Sequence, residues 1–181
     1  MQLLTVGHGT ASANEFADLI RGAEIKQLVD VRSVPKSRRH PQFWSEQMAE
    51  WLPQLGGCTY QWNEPLGGFR RGRPDSDNIA LRHPAFRGYA DYMETEPFCI
   101  ALESLLREAH REQTAIMCSE SLWWRCHRRL ISDAVVLLHK IDVLHLFHTG
   151  KLVNHIPTQG VRVLNAHRLR YDVTDNDSSD R

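Results

Sequence analysis

The sequence predicts a three-layer α/β domain, a mainly parallel sheet with helices on both faces. Short apolar runs at residues 3–6, 27–31 and 115–118 read as strands buried on both sides. Stretches of helical periodicity separate them. At 181 residues, with no internal repeat and no second-domain boundary, the chain fits one domain over 1–171. Residues 172–181 are polar and acidic, and a disordered tail is expected there.

In chain order, the first run ends in Gly7-His8-Gly9. Ser12 and Glu15 then have the spacing of a capping box, opening a helix with Phe16, Leu19 and Ile20 on one face. The second strand leads into a basic loop with Pro35 and Pro41. A helix is expected from about residue 43 to 55, closed by Gly56-Gly57. A third strand at 59–62 and a Gly- and Arg-rich loop at 66–73 follow. Helix is expected from about 86 to 109, interrupted at Pro97. After the strand at 115–118, another helix should span about 124 to 139, with Ile131, Val135 and Leu138 as its apolar stripe. Two more strands are expected at 143–147 and 152–156.

Lys plus Arg and Asp plus Glu both number 22, so overall charge gives no reason to expect nucleic acid. The basic residues nevertheless cluster, at Arg32/Lys36/Arg38/Arg39, at Arg70/Arg71/Arg73 and at Arg125/Arg128/Arg129, which suggests a local anion site. Solvated arginine faces that never meet would explain the same pattern. No run approaches the roughly 18 apolar residues of a membrane span. The N-terminus lacks a basic n-region and a cleavage site, so the expectation is a cytoplasmic protein. Cys58, Cys99, Cys118 and Cys126 include no C-x-x-C pair, which argues against a zinc knuckle or thioredoxin motif.

In a parallel sheet, ligands bind beyond the carboxyl ends of the strands. The stretch from Cys118 to Arg129 combines such a strand end with a helix start, where free N–H groups and the helix field suit an anion and lower a thiol pKa. The candidate catalytic residues are Cys118 (nucleophile or pocket wall), Glu120 (acid or base) and His8. The candidate anion-binding residues are Arg32, Arg38, Arg125, Cys126, His127 and Arg128. Plainer roles compete with each. Free cysteines are often small buried hydrophobes, Asp30 and Arg32 can be a structural ion pair, and Trp123 and Trp124 can simply pack. His155 in its apolar strand reads as a satisfied core histidine. Cys118 to Arg125 resembles a phosphatase cysteine loop but is one residue too long.

Thr5-Val6-Gly7-His8, Asp30-Val31-Arg32 with Pro35 and Ser37-Arg38, Leu66-Gly67-Gly68, Tyr89 to Met93, Cys118 to Glu120, Cys126-His127-Arg128 and His155-Ile156 occur in one order along nearly the whole chain. That set resembles domain-of-unknown-function family 488. The chain differs from the family pattern in Gly9 for serine, Ser119 for alanine, and the absence of proline between Cys118 and Cys126. The resemblance implies a cytosolic prokaryotic α/β protein and supplies no settled activity.

The leading expectation is therefore an enzyme on a phosphate-bearing substrate, a nucleotide or a nucleic-acid component. The alternative is a non-catalytic anion or nucleic-acid module with Cys118 and Cys126 as a redox pair. A metal site using His8, Cys118, Cys126 or His127 ranks last because the spacing is irregular, and no metal is expected. The residues name no cofactor and no oligomeric state.

Overall fold

Each predicted run becomes a strand, and the strands meet in one sheet. The computed structural model describes residues 1–173. Strands β1 (Gln2–Gly7), β2 (Gln27–Asp30), β3 (Thr59–Trp62), β4 (Thr114–Cys118), β5 (Asp142–Leu146) and β6 (Leu152–Asn154) lie in the order β3-β2-β4-β1-β5-β6. Neighbours are parallel throughout, except the edge pair β5 and β6. β4 is buried along its whole length, which is why it shows no apolar/polar alternation.

Helices cover both faces. Leu4, Val6, Leu28, Ala115 and Met117 point to one side and pack on α1 (Ala13–Gly22) and α2 (Ser45–Trp51). Leu3, Val29, Val31, Ile116 and Val143 point to the other and pack on α3 (Pro84–Tyr92), α4 (Glu96–Ala109) and α5 (Arg128–His139). This is the alternation of a strand with two buried faces. The Ser12/Glu15 capping box is present, with Glu15 N–H bonded to the Ser12 hydroxyl and Glu15 reaching back to the Ser12 N–H.

The structure differs from the expectation in four places. The helix expected over 43–55 begins as a 3-10 turn at Pro41–Phe43 and loosens into a π-helical turn at Leu52–Gly56, where Pro53 lacks an N–H for the α ladder. Gly57 ends it in the left-handed conformation at φ 61°. The helix expected from 124 starts instead at Arg128, because Cys126 is extended and Trp123–Arg125 makes only a 3-10 turn. The last predicted strand stops at Asn154. A hairpin of β7 (Val161–Asn165) and β8 (Arg168–Tyr171) was not foreseen, and it buries Leu169 and Tyr171 against the α3–α5 side. Of the predicted tail, Asp172 pairs with Arg162 and the Val173 N–H bonds the Gly160 carbonyl; residues 174–181 lie outside the described residues. Among the described residues no helix is long and apolar enough to cross a membrane.

Gly88 shows how tightly the 70–72 loop is pressed onto α3. A β-carbon at this position would sit 2.2 Å from the Arg70 carbonyl oxygen and 2.7 Å from the Gly72 nitrogen. Gly88→Ala should therefore destabilise the protein by about 2 kcal/mol, although alanine is the better helix former by about 1 kcal/mol. Urea unfolding measures this, and a stabilised variant would show that the loop moves away.

Candidate functional site

Because the central strands are parallel, β1, β2 and β4 end on one edge of the sheet, and the polar residues after them meet there. The His8 N–H bonds the Cys118 carbonyl (3.0 Å) and the Val31 N–H bonds the Met117 carbonyl (2.9 Å), so the three strand ends are stitched together. Gly7 is required at this crossing. A β-carbon there would fall 1.9 Å from the Glu120 carbonyl oxygen.

One group of residues forms around Arg32. Its Nε donates to both Asp30 oxygens at 2.9 and 3.0 Å, and its Nη2 donates to the Phe43 carbonyl at 2.7 Å. The Tyr60 hydroxyl donates to Asp30 at 2.7 Å. His8 stacks on Phe43 with ring centroids 4.1 Å apart, and its Nδ1–H donates to the Gly9 carbonyl at 2.9 Å. Its Nε2 faces Arg32 Nη1 at 3.3 Å. Burial, then the Arg32 charge, push the imidazole down to about 3, so it is neutral at physiological pH. Arg32 is thus a buried ion-pair partner, and both ring nitrogens of His8 are already engaged.

The second group is the thiol pair. Cys118 closes β4, while Cys126 and His127 lead into α5. Cys126 Sγ receives the Arg128 backbone N–H at 3.5 Å and the Arg128 Nε–H at 3.4 Å. The same guanidinium donates to Thr5 Oγ1 (3.3 Å) and to the Glu120 carbonyl. Arg128 is only 1% exposed, and no carboxylate of the described residues lies within ion-pair distance of it. Burial acts to raise the Cys126 thiol, but the Cys118 hydrogen bond and the Arg128 charge outweigh it, and the net shift is downward. Cys118 moves the opposite way, raised by its hydrogen bond to Cys126 and by burial. Of the two sulfurs, it is Cys126 that receives the Arg128 N–H groups and lies beside the positive charge.

His127 Nε2–H donates to the Val31 carbonyl at 2.8 Å, which leaves Nδ1 facing Cys126 Sγ at 3.6 Å. The Cys118, Cys126 and His127 ligand atoms all lie within 4.8 Å of one another, so these three are the residues that could hold a soft or borderline metal ion. The sequence offered these three residues, together with His8, only as its last-ranked alternative, because their spacing is irregular. His8, on the other side of Arg32, is not part of it.

A family model described as Domain of unknown function DUF488 matches residues 12–135. The chain belongs to the DUF488 family. No curated protein and no solved structure matches it. The match bears out the resemblance, and the family description carries no activity.

The DUF488 fold thus brings His8, Arg32, Cys118, Cys126, His127 and Arg128 to one edge. Glu120 joins through its carbonyl, while its carboxylate accepts the Leu122 N–H at 3.2 Å. Arg38 and Arg125 are exposed on the loops after β2 and β4, with no side-chain contact to the cluster among the described residues. Asp133 and His145, which sequence reasoning passed over, extend the site inward together with Thr5 and His155. Arg128 donates to Thr5, Thr5 to His145 Nδ1 (2.7 Å), His145 Nε2 to His155 Nδ1 (3.0 Å), and His155 Nε2 to Asp133 (2.8 Å). Trp123 lies flat on His145 at 4.0 Å. His155 is buried and hydrogen-bonded at both nitrogens, as its apolar strand suggested.

Proposed function

We propose that this protein is a thiol-dependent enzyme acting on a phosphate-bearing substrate, a nucleotide or a nucleic-acid component, with Cys126 as the nucleophile. The observation that carries this reading is Arg128, a buried cation whose nearest anion-forming partner is the Cys126 sulfur. A cation buried without a counter-charge is costly. A thiolate at Cys126 supplies the counter-charge, and the arginine in turn keeps the sulfur ionised. Cys118, held protonated beside it, serves as the thiol donor and pocket wall. Arg32 and Arg128 set the local field, while the exposed Arg38 and Arg125 are the side chains free to grip phosphate oxygens.

In the proposed step the Cys126 sulfur attacks an electrophilic centre and forms a covalent bond to it. The leaving group departs with the bonding electron pair and takes a proton from solvent. Water then attacks the same centre while the Glu120 carboxylate accepts its proton and passes it to solvent, and the sulfur leaves as thiolate. Closeness of the two thiols favours a second reading, a Cys118–Cys126 dithiol that senses oxidants; it needs an external oxidant to take two electrons and two protons.

The test is a pH titration of thiolate ultraviolet absorbance, with and without Cys126→Ser, beside labelling by methyl methanethiosulfonate. The nucleophile reading expects a thiolate that forms well below the usual thiol range and vanishes in Cys126→Ser, with Cys126 labelled first. Burial raises Cys58 and Cys99, so both should label slowly. Equal, slow labelling of all four cysteines would sink it.

A further inference from the structure

A concavity lies beyond the Trp123–Arg125 turn. It is an open cleft of about 780 Å³ lined by Phe86, Trp123, Trp124, Arg82, Arg129 and Ile156 among others. Neither cysteine of the thiol pair lines it, nor does His127. The volume falls in the range of small-molecule sites, about 300–1,000 Å³. Its lining combines two features.

The first is charge. Arg82 and Arg129 are in the wall, and no aspartate or glutamate of the described residues joins them there. Arg129 stands over the Phe86 ring at 4.6 Å, and its Nε is buried with no hydrogen-bond partner. It makes no ion pair among the described residues. Burial lowers its pKa despite the nearby Asp133, so the guanidinium is short of compensating charge. Thr158, on the same wall, also has a buried hydroxyl oxygen without a partner. Donors left like this cost free energy until an acceptor arrives.

The second is flat apolar surface. Trp124 is 42% exposed and Ile156 69% exposed, and both line this one cleft. Trp123 is held edge-on to Trp124 at 5.6 Å and is fixed from behind by His145. A purely apolar ligand would leave the arginine unpaired, and a simple inorganic anion would leave the tryptophans bare. A planar ring that carries an anion satisfies both.

We propose that this cleft binds a nucleoside monophosphate, its base against Trp124 and Ile156 and its phosphate on Arg129 and Arg82. Base-on-aromatic stacking and the arginine fork are the two interactions that recognise such a ligand. Thr158 then meets a ribose or base acceptor. The site is separate from the thiol pair and does not depend on which reading of Cys126 holds.

Isothermal titration calorimetry of the full chain with AMP, and with UMP beside it, tests the proposal. Saturable binding of at least one monophosphate is expected, with adenosine alone and inorganic phosphate alone each weaker by about tenfold or more. Arg82→Ala and Trp124→Ala change exposed side chains, so both should fold normally and each weaken binding by about tenfold or more. Cys126→Ser should bind like the parent, which keeps this result distinct from the thiolate titration. Absence of heat with both nucleotides would overturn the proposal. So would parent-like binding in both cleft variants, or binding lost in Cys126→Ser while the cleft variants retain it.

Discussion

Asp133→Ala should lower the unfolding free energy by about 4 kcal/mol, because three buried donors lose their acceptor at about 1–3 kcal/mol each. Asp133 is 0% exposed and accepts three hydrogen bonds. His155 Nε2 and the Thr158 N–H reach one oxygen at 2.8 and 2.9 Å, and the Tyr171 hydroxyl reaches the other at 3.0 Å. Through these bonds a single residue of α5 ties together the end of β6, the loop before β7, and β8. Alanine leaves all three donors buried and unpaired, and no small rotation lets water replace the carboxylate. Asp133→Asn keeps an acceptor for one side and should cost less. Urea denaturation reads both values as midpoint shifts at unchanged slope. A loss under about 1 kcal/mol for alanine would mean that His155 and Tyr171 find other partners, and the hydrogen-bonded chain from Arg128 to Asp133 would then not be a structural unit.

That chain also shows where sequence reasoning stops. Residues 3–6, 27–31 and 115–118 were legible as strands because burial on both faces makes them mostly apolar, with Thr5, Gln27 and Asp30 as the polar exceptions. The edge they share follows from parallel pairing, which brought Cys118, Cys126, His127 and Arg128 into view as a short, rich stretch. Thr5, Asp133, His145 and His155 gave no comparable signal. They are scattered over β1, α5, β5 and the residue after β6, and each has a polar type that surfaces supply freely. Asp133 in particular sits on a helix, where an acid reads as a solvated face, yet it is fully buried. The β7–β8 hairpin was hidden for a related reason. Arg162, Arg168 and Arg170 alternate with only Leu169 and Tyr171 buried, too weak a pattern to stand out from a loop. Arg32 illustrates the reverse case. It was a candidate for an external anion, but the carboxylate two residues before it in sequence occupies its guanidinium.

Arg128→Met should move thiolate formation at Cys126 upward by at least about one pH unit, about a tenfold loss of thiolate at any pH well below the parent midpoint. The sign follows from the contacts. In the parent the folded thiol is held below its ordinary value, so the thiolate is present above that lowered point and is lost only as pH falls through it. Arg128 contributes both its charge and the Nε–H at 3.4 Å to that lowering, whereas methionine fills similar space and contributes neither. The backbone N–H of residue 128 remains, so part of the effect survives. Stability should also fall by about 2 kcal/mol, since the Glu120 carbonyl and Thr5 lose a donor. A role confined to packing would produce that stability loss alone. The thiolate titration separates the two, and Arg128→Lys, which restores the charge without the fork, should return part of the lowering. A midpoint unmoved in Arg128→Met would remove the arginine from the chemistry and, with it, the case for Cys126 as the nucleophile.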